Sequence, residues 1–284
     1  MSVSDSDSEK IMHYSNIESS PDIFIGNLGH LGFQRFMPNP ALRPWVQCYW
    51  VMQTRLSAEG FVETLYPDGG TNLNFYFAPG EEVSLSFYTE QTVKKMHLRG
   101  QQDCLGIRFH PGGVFQLLGL SMPDWIGGEF SSRDLDFHPL QELRKRLGDL
   151  QDTQQRLHLI DEWLLGRSPK ISAQPGLLQQ VLPKLIYKRE SIDSVCEQLA
   201  LNRRKLERKF YQEVGLSPDQ IKQLVRIKLA RKLINDHPGL SLVEVAQCAG
   251  FYDQAHFIRQ FKKLTGLTPG QYRQKKLSQK YNPH

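Results

Sequence analysis

Two stretches near the C-terminal end set apolar residues on one helical stripe and polar ones opposite. Phe257, Phe261 and Leu264 recur at i, i+4 and i+7, with Ala255, Arg259 and Lys262 on the other face. Leu206 and Phe210 form the same stripe some fifty residues earlier, leaving Arg204, Arg208 and Tyr211 outward. Each predicts a helix, capped by Asp253 and Asn202 respectively, and a shorter helix comes before each. In the second case Ser241-Leu242-Val243-Glu244 is a capping box, Val245, Ala246 and Ala249 are the apolar side, and Gly250 ends the helix. Between the two pairs, Ser217-Pro218-Asp219-Gln220 opens a helix predicted to run to about Asn235, and Thr268-Pro269-Gly270-Gln271 repeats that start for a last helix.

The N-terminal half has a different period. Residues 73–77, 83–87 and 104–109 alternate or run apolar as strands do, separated by the turns Pro67-Asp68-Gly69-Gly70 and Ala78-Pro79-Gly80. Residues 139–166 read as helical, with Leu140, Leu143, Leu147, Leu150, Leu157 and Leu164 at heptad-like spacing. Gln154 and Asp161 fall on the same seam, and Gly148 with Asp152 interrupts it, so packing on the strands and a seam between two copies both fit. The fold class expected is α+β: a small N-terminal β-barrel or sandwich with appended helices, then an all-α domain.

That all-α domain is a duplication. Residues 206–210 and 215–220 match residues 257–261 and 266–271 at an offset of 51, and Ser191, Val195 and Ala200 match Ser241, Val245 and Gly250 at an offset of 50. Two copies are too few for a solenoid and suit a repeated helix-turn-helix unit joined by one long helix. The expected organisation is a disordered tail over 1–20, a regulatory, effector or dimerisation domain over 21–167, a linker over 168–176 carrying two prolines, and the duplicated domain over 177–284.

Composition adds little beyond an ordinary globular chain, at 39% hydrophobic and 23% charged residues in 284. No apolar run reaches the roughly 20 residues that span a bilayer, and residues 1–9 alternate Ser and Asp where a secretory leader needs an apolar stretch, so a cytoplasmic protein is expected. Four cysteines without a C-x-x-C pair, and His97, His110 and His138 without metal spacing, suggest no metal and no cofactor. Charge is more telling. Residues 177–284 hold 20 Lys and Arg against 9 Asp and Glu, a net +11, while the other 176 residues are at −6. One end is suited to a polyanion.

The run Ala246-x-x-x-Gly250-Phe251-x-Asp253-x-x-His256-Phe257-x-Arg259-x-Phe261-Lys262-x-x-x-Gly266-x-Thr268-Pro269-x-x-Tyr272-Arg273 resembles the signature of the AraC/XylS transcription regulators, over about a hundred C-terminal residues. The resemblance implies two units that enter adjacent major-groove segments of double-stranded DNA. The first unit departs from the pattern at Asn202 and Cys196, where the family has Ser and Ala. The DNA-binding set expected is Arg203, Arg204, Arg208, Tyr211, Gln254, Ala255, His256, Arg259 and Lys262. Tyr49-Trp50, Tyr66-Pro67-Asp68-Gly69 and residues 108–113 resemble the poorly characterised domain that some of these regulators carry in place of a cupin-like sugar-binding one. For that domain Trp50, Tyr66, Phe75 and Tyr88 are the candidate effector-binding residues. Further partners implied are RNA polymerase, a small-molecule effector and a second copy of the chain, with part of 139–166 as the dimer interface and no membrane. An adaptor that binds protein and no small molecule is the alternative. No catalytic residue is expected: G-x-S-x-G, Walker, G-x-G-x-x-G and H-E-x-x-H patterns are missing, as is the Pro-Cys-His-Arg acceptor of DNA alkylation-repair proteins with a similar domain.

Overall fold

The computed structural model describes residues 32–281 apart from 58, 132, 136, 169–175 and 187. The tail expected over 1–20 and most of the linker expected over 168–176 lie outside the described residues. The N-terminal part holds strands β1 (Phe33–Phe36), β2 (Val46–Arg55), β3 (Phe61–Leu65), β4 (Thr71–Tyr76), β5 (Ser84–Thr89), β6 (Lys94–Leu98), β7 (Gln101–Phe109) and β8 (Glu129–Ser131). With them come helices α1 (Gly113–Leu118), α2 (His138–Gly148) and α3 (Thr153–Leu165). Six strands pair antiparallel in the order β1-β2-β7-β4-β5-β8, while β3 and β6 form a separate ribbon. The expected barrel or sandwich is therefore an open sheet faced by a two-stranded ribbon, with no closed barrel among the described residues. Strand alternation tells which residues are buried but not whether the first and last strands meet.

Alternation sorts the two faces. Tyr49, Val51, Leu73, Phe75, Leu85, Phe87, Leu105, Ile107 and Phe109 turn to one side and form the main core with α1, α2 and α3. Trp50, Gly106, Asn74 and Ser86 lie in one row across the other face, with Cys48, Arg108, Asn72 and Tyr88 in a second row. The ribbon covers part of this face through Phe61, Met96 and Leu98, which pack with Trp50, Met52 and Cys104. Gly106 is required here, because the Trp50 indole lies across its backbone and a Cβ would meet the ring at 2.1 Å.

The leucine seam of 139–166 splits into α2 and α3, with Asp152 capping α3 through the Gln155 amide. Leu140, Leu143, Leu147, Leu157 and Leu164 are all buried in the main core. The seam thus faces the chain's own sheet rather than a second copy, and residues such as Gln155, His158 and Glu162 form the outer side of α3.

The C-terminal part is all helix: α4 (Leu177–Ile186), α5 (Ile192–Gln198), α6 (Arg203–Val214), α7 (Pro218–Asp236), α8 (Leu242–Cys248), α9 (Gln254–Thr265) and α10 (Pro269–Tyr281). The caps read from the sequence are in place. Ser217 with Gln220 and Ser241 with Glu244 form full capping boxes, and Asn202 and Asp253 accept from the amides of Arg204 and His256. Leu206, Phe210 and Val214 of α6 pack with α4, α5, Ile221 and Leu224, while Phe257 and Phe261 of α9 pack with α8, Tyr272 and the α7 residues Ile227, Ala230, Leu233 and Ile234. One long helix thereby supplies core to both units.

The turn of the second unit, residues 249–253, is one residue longer than that of the first, residues 199–202, and the two differ in the residue at the left-handed position. Gly250 adopts φ 81°, and its counterpart Ala200 is forced into φ 49°, a left-handed conformation that presses its Cβ on the following carbonyl. Ala200→Gly is expected to stabilise the protein by about 0.5–1 kcal/mol, the relief of strain less the added freedom of the unfolded chain, as read by equilibrium denaturation. A loss of stability would show that the Ala200 methyl contributes packing that outweighs the strain.

Candidate nucleic-acid interface

Burying the Leu206/Phe210 and Phe257/Phe261 stripes turns the opposite faces of α6 and α9 outward. Arg204, Arg208, Tyr211, Gln254, Ala255, Arg259 and Lys262 are all exposed, so the structure brings the outward sets of both units to the surface together. His256 is half-buried, its ring edge-on to Phe251 at 5.7 Å between centroids. Arg203 is exposed but engaged: it donates to Asp193 at 2.9 Å, Glu207 at 3.0 Å and Asp219 at 3.3 Å, tying α5, α6 and α7 together. Glu207, and after it Asp193, push its already high pKa further up. Tyr252, in the turn just before Asp253, is fully exposed at 104% and was not in the expected set. Its signal in the sequence was an aromatic residue flanked by a core Phe and a helix cap.

The basic residues of α7 separate by face. Lys222 and Arg226 sit between the two units, where Lys222 Nζ donates to the Glu190 carbonyl at 2.6 Å and the Arg226 guanidinium lies 5.9 Å from the Phe251 ring centroid. Arg189 spans the same gap by donating to the Cys248 carbonyl at 2.8 Å. Burial, then the repulsion of like charges, lowers both Lys222 and Arg226. Lys232 pairs with Asp236 at 3.0 Å. Lys228 and Arg231 instead face the N-terminal domain: Lys228 meets Asp68, and Arg231 stacks 3.7 Å from the Tyr66 ring centroid.

The four candidate effector residues do not converge. Phe75 is in the main core, and Tyr66 packs edge-on to Tyr272 of α10. Trp50 and Tyr88 share the other sheet face with Asn74, whose Nδ2 lies 3.3 Å from Tyr88 Oη and 3.4 Å from both Tyr76 Oη and Ser86 Oγ. Asn74 Oδ1 is buried without a partner. Turning the amide over would only exchange which of its two polar atoms is left unpaired, at a cost of about 1–3 kcal/mol. Among the described residues no group of three or more His, Cys, Asp or Glu side chains is placed to hold a metal. Nor is any described helix long and apolar enough to cross a membrane.

A helix-turn-helix pair, repeated once, on a shared connector, with both second helices basic and exposed, defines a double helix-turn-helix domain. Comparison with known proteins agrees: residues 195–275 match the family described as "Helix-turn-helix domain", and residues 34–130 match "Domain of unknown function (DUF6597)". The transcriptional regulator MtrA of Neisseria gonorrhoeae is 34% identical over 103 residues, covering 35% of this chain and 34% of that protein. An uncharacterised helix-turn-helix-type transcriptional regulator of Haemophilus influenzae is 26% identical over 175 residues, 55% of this chain and 58% of that one. Among solved structures, the C-terminal domain of AraT, a response regulator from Geobacillus stearothermophilus, is 31% identical over 30% of this chain and 70% of that chain, with a TM-score of 0.29. The alignments thus span about a third to three fifths of the curated relatives' length.

His110, at the end of β7, gives the domain junction a pH dependence. Burial, and after it the Lys228 and Arg108 charges, hold its imidazole down to about 4. The unfolded imidazole takes up its proton near pH 6.5 and the folded one only near 4, so stability from this group is intact above 6.5 and falls as pH drops through that window. Thermal melts at pH 7.5, 6 and 5 should show a decline in which His110 accounts for about 2 kcal/mol at pH 5. His110→Asn should shallow the slope; an unchanged slope would place the titration elsewhere.

Proposed function

We propose that the protein is a sequence-specific transcription regulator of the cytoplasm, in which residues 177–284 bind double-stranded DNA and residues 21–167 regulate that binding. The observation that carries this is the pair of outward basic helix faces, with Arg208 and Arg259 at equivalent positions of the two units, joined by α7. Nineteen residues at 1.5 Å each make α7 about 28 Å long, which suits recognition helices one DNA turn, roughly 34 Å, apart once their offsets are added. Arg204 and Arg208 in the first unit, and Gln254, Ala255 and Arg259 in the second, are the base readers: Arg suits guanine O6/N7, Gln suits adenine and the Ala methyl suits thymine. Tyr211, His256 and Lys262 contact the backbone, and the net charge of the domain makes binding fall steeply with salt, at a slope near −0.9 per phosphate neutralised. Arg203, held by three carboxylates, shapes the first unit and reaches DNA only at its edge.

Arg208→Ala and Arg259→Ala should each cost about 1–3 kcal/mol on a selected site and less on random DNA, measured by fluorescence anisotropy over a salt series. Equal losses on both DNAs would reassign the residue to phosphate. Hydroxyl-radical footprints should show two protected segments about 10 bp apart on one face of the duplex. If Arg204→Ala/Arg208→Ala keeps sequence preference at both segments, the first unit only clamps the backbone.

Control by a small-molecule effector is supported by the sheet face that carries Trp50, Asn74, Tyr76 and Tyr88. A buried amide with one polar atom unpaired is suited to a ligand bearing a hydrogen-bonding group beside an apolar or aromatic one. A thermal-shift screen on the full chain should find compounds that stabilise it by about 2.7 kcal/mol at 100 times their Kd, with the shift lost in Asn74→Ala. Hits that survive Asn74→Ala bind elsewhere, and a screen without hits favours the adaptor.

A further inference from the structure

One carboxylate joins the two halves of the chain. Asp68 lies in the turn between β3 and β4. Its Oδ1 accepts from Arg108 Nη2 of β7 and from the Gly70 amide, and its Oδ2 accepts from Lys228 Nζ of α7 at 3.1 Å. The side chains of Arg108, Asp68 and Lys228 are 4%, 11% and 20% exposed, so two cations, one from each domain, share a single anion in a space largely closed to water. Burial of like charges without a counter-ion is strongly unfavourable, and removing Asp68 takes away the anion that both of them share.

The surroundings fit at the level of backbone. A Cβ on Gly69, which has φ 81°, would stand 2.6 Å from Ile221 Cδ1, one on Gly112 would stand 2.8 Å from Leu178 Cδ1, and one on Gly215 would stand 2.3 Å from Ile126 Cγ1. Gln116 of α1 donates to the buried Glu213 of α6 at 2.8 Å, and Tyr66 packs on Tyr272 of α10. The N-terminal domain therefore touches the first unit, the connector and the second unit at once. Arg204, Arg208, Gln254, Ala255 and Arg259 all stay exposed in this docked arrangement.

We infer that the N-terminal domain is an intramolecular brace, docked on α7 through Asp68, which holds the two recognition helices at the spacing that one DNA site requires. The effect on DNA rests on the DNA-binding reading above; the docking does not. Bracing differs from covering, because the outward faces of α6 and α9 are free while the domains are together. Its benefit is preorganisation, since two helices already held apart at the right distance lose less freedom on binding than two on a loose frame.

The test uses the full chain and a duplex enriched from a random-sequence pool by the wild type, together with shortened duplexes keeping one protected segment. Asp68→Asn preserves the turn, because an amide oxygen still accepts from Gly70, but leaves Arg108 facing Lys228. It should raise the radius of gyration in small-angle X-ray scattering above the wild-type value and weaken binding to the two-segment duplex about tenfold, with single-segment binding unchanged. Adding Lys228→Met removes the surplus cation and should restore both readouts, which a turn that had merely misfolded would not allow. Ile126→Glu, remote from the ion pairs, should open the domains in the same way. An Asp68→Asn chain with the wild-type radius overturns the docking role, and so does failure of Lys228→Met to rescue it. An opened chain that binds the duplex as tightly as wild type, or more tightly, overturns the brace. A wild type that enriches no duplex overturns the DNA-binding reading, and the scattering arm still decides the docking.

Discussion

Helix α7 is enclosed from several sides, and the arrangement of the molecule follows from that. Ile221 and Leu224 belong to the core of the first unit, Ile227, Ala230, Leu233 and Ile234 to that of the second, and Lys228 and Arg231 reach the N-terminal domain. Apolar residues placed all round a helix signal burial on every side, in contrast to the single stripes of α6 and α9. A helix used this way transmits position. Its rise per residue sets the distance between the two units, and its angular register sets which residues each neighbour meets.

What was legible in the sequence was what is decided locally. The duplication, the caps at Asn202, Ser217, Ser241 and Asp253 and the buried Phe stripes each depend on residues within a few positions of one another, and each stands in the structure as read. The outward faces of α6 and α9 followed directly, because burying one side of a helix fixes the other. Less was legible where the partner is remote. The leucines of 139–166 announce an apolar seam, but periodicity carries no information on whether a sheet or a second chain fills it. The Asp68 turn was read only as a turn, since its partners Arg108 and Lys228 are 40 and 160 residues away. Alternation found the strands and the face of each residue, yet sheet closure depends on pairings at the two ends.

Arg203 and Arg208 show the same limit within one helix. Both are exposed arginines of α6 and equivalent by composition. Arg203 lies where Asp193, Glu207 and Asp219 converge, three residues from three helices, and it closes the first unit as a surface network. Surface pairs of this kind contribute little each, and their effect is on geometry more than on stability. Arg208 is exposed on the outward face of the same helix, away from that convergence. Whether an arginine of this helix ties its neighbours together or stays outward is thus decided by tertiary structure.

The main sheet ends on one side in β8, which is three residues long, with Glu129 held by Lys94 of the neighbouring ribbon. A strand of that length offers only about 10 Å of unpaired backbone, too little to template another chain edge to edge. A charged side chain at the rim discourages it further. On this side the sheet is protected against strand-by-strand polymerisation and amyloid-like growth, because a second copy that meets this rim finds side chains and little free backbone.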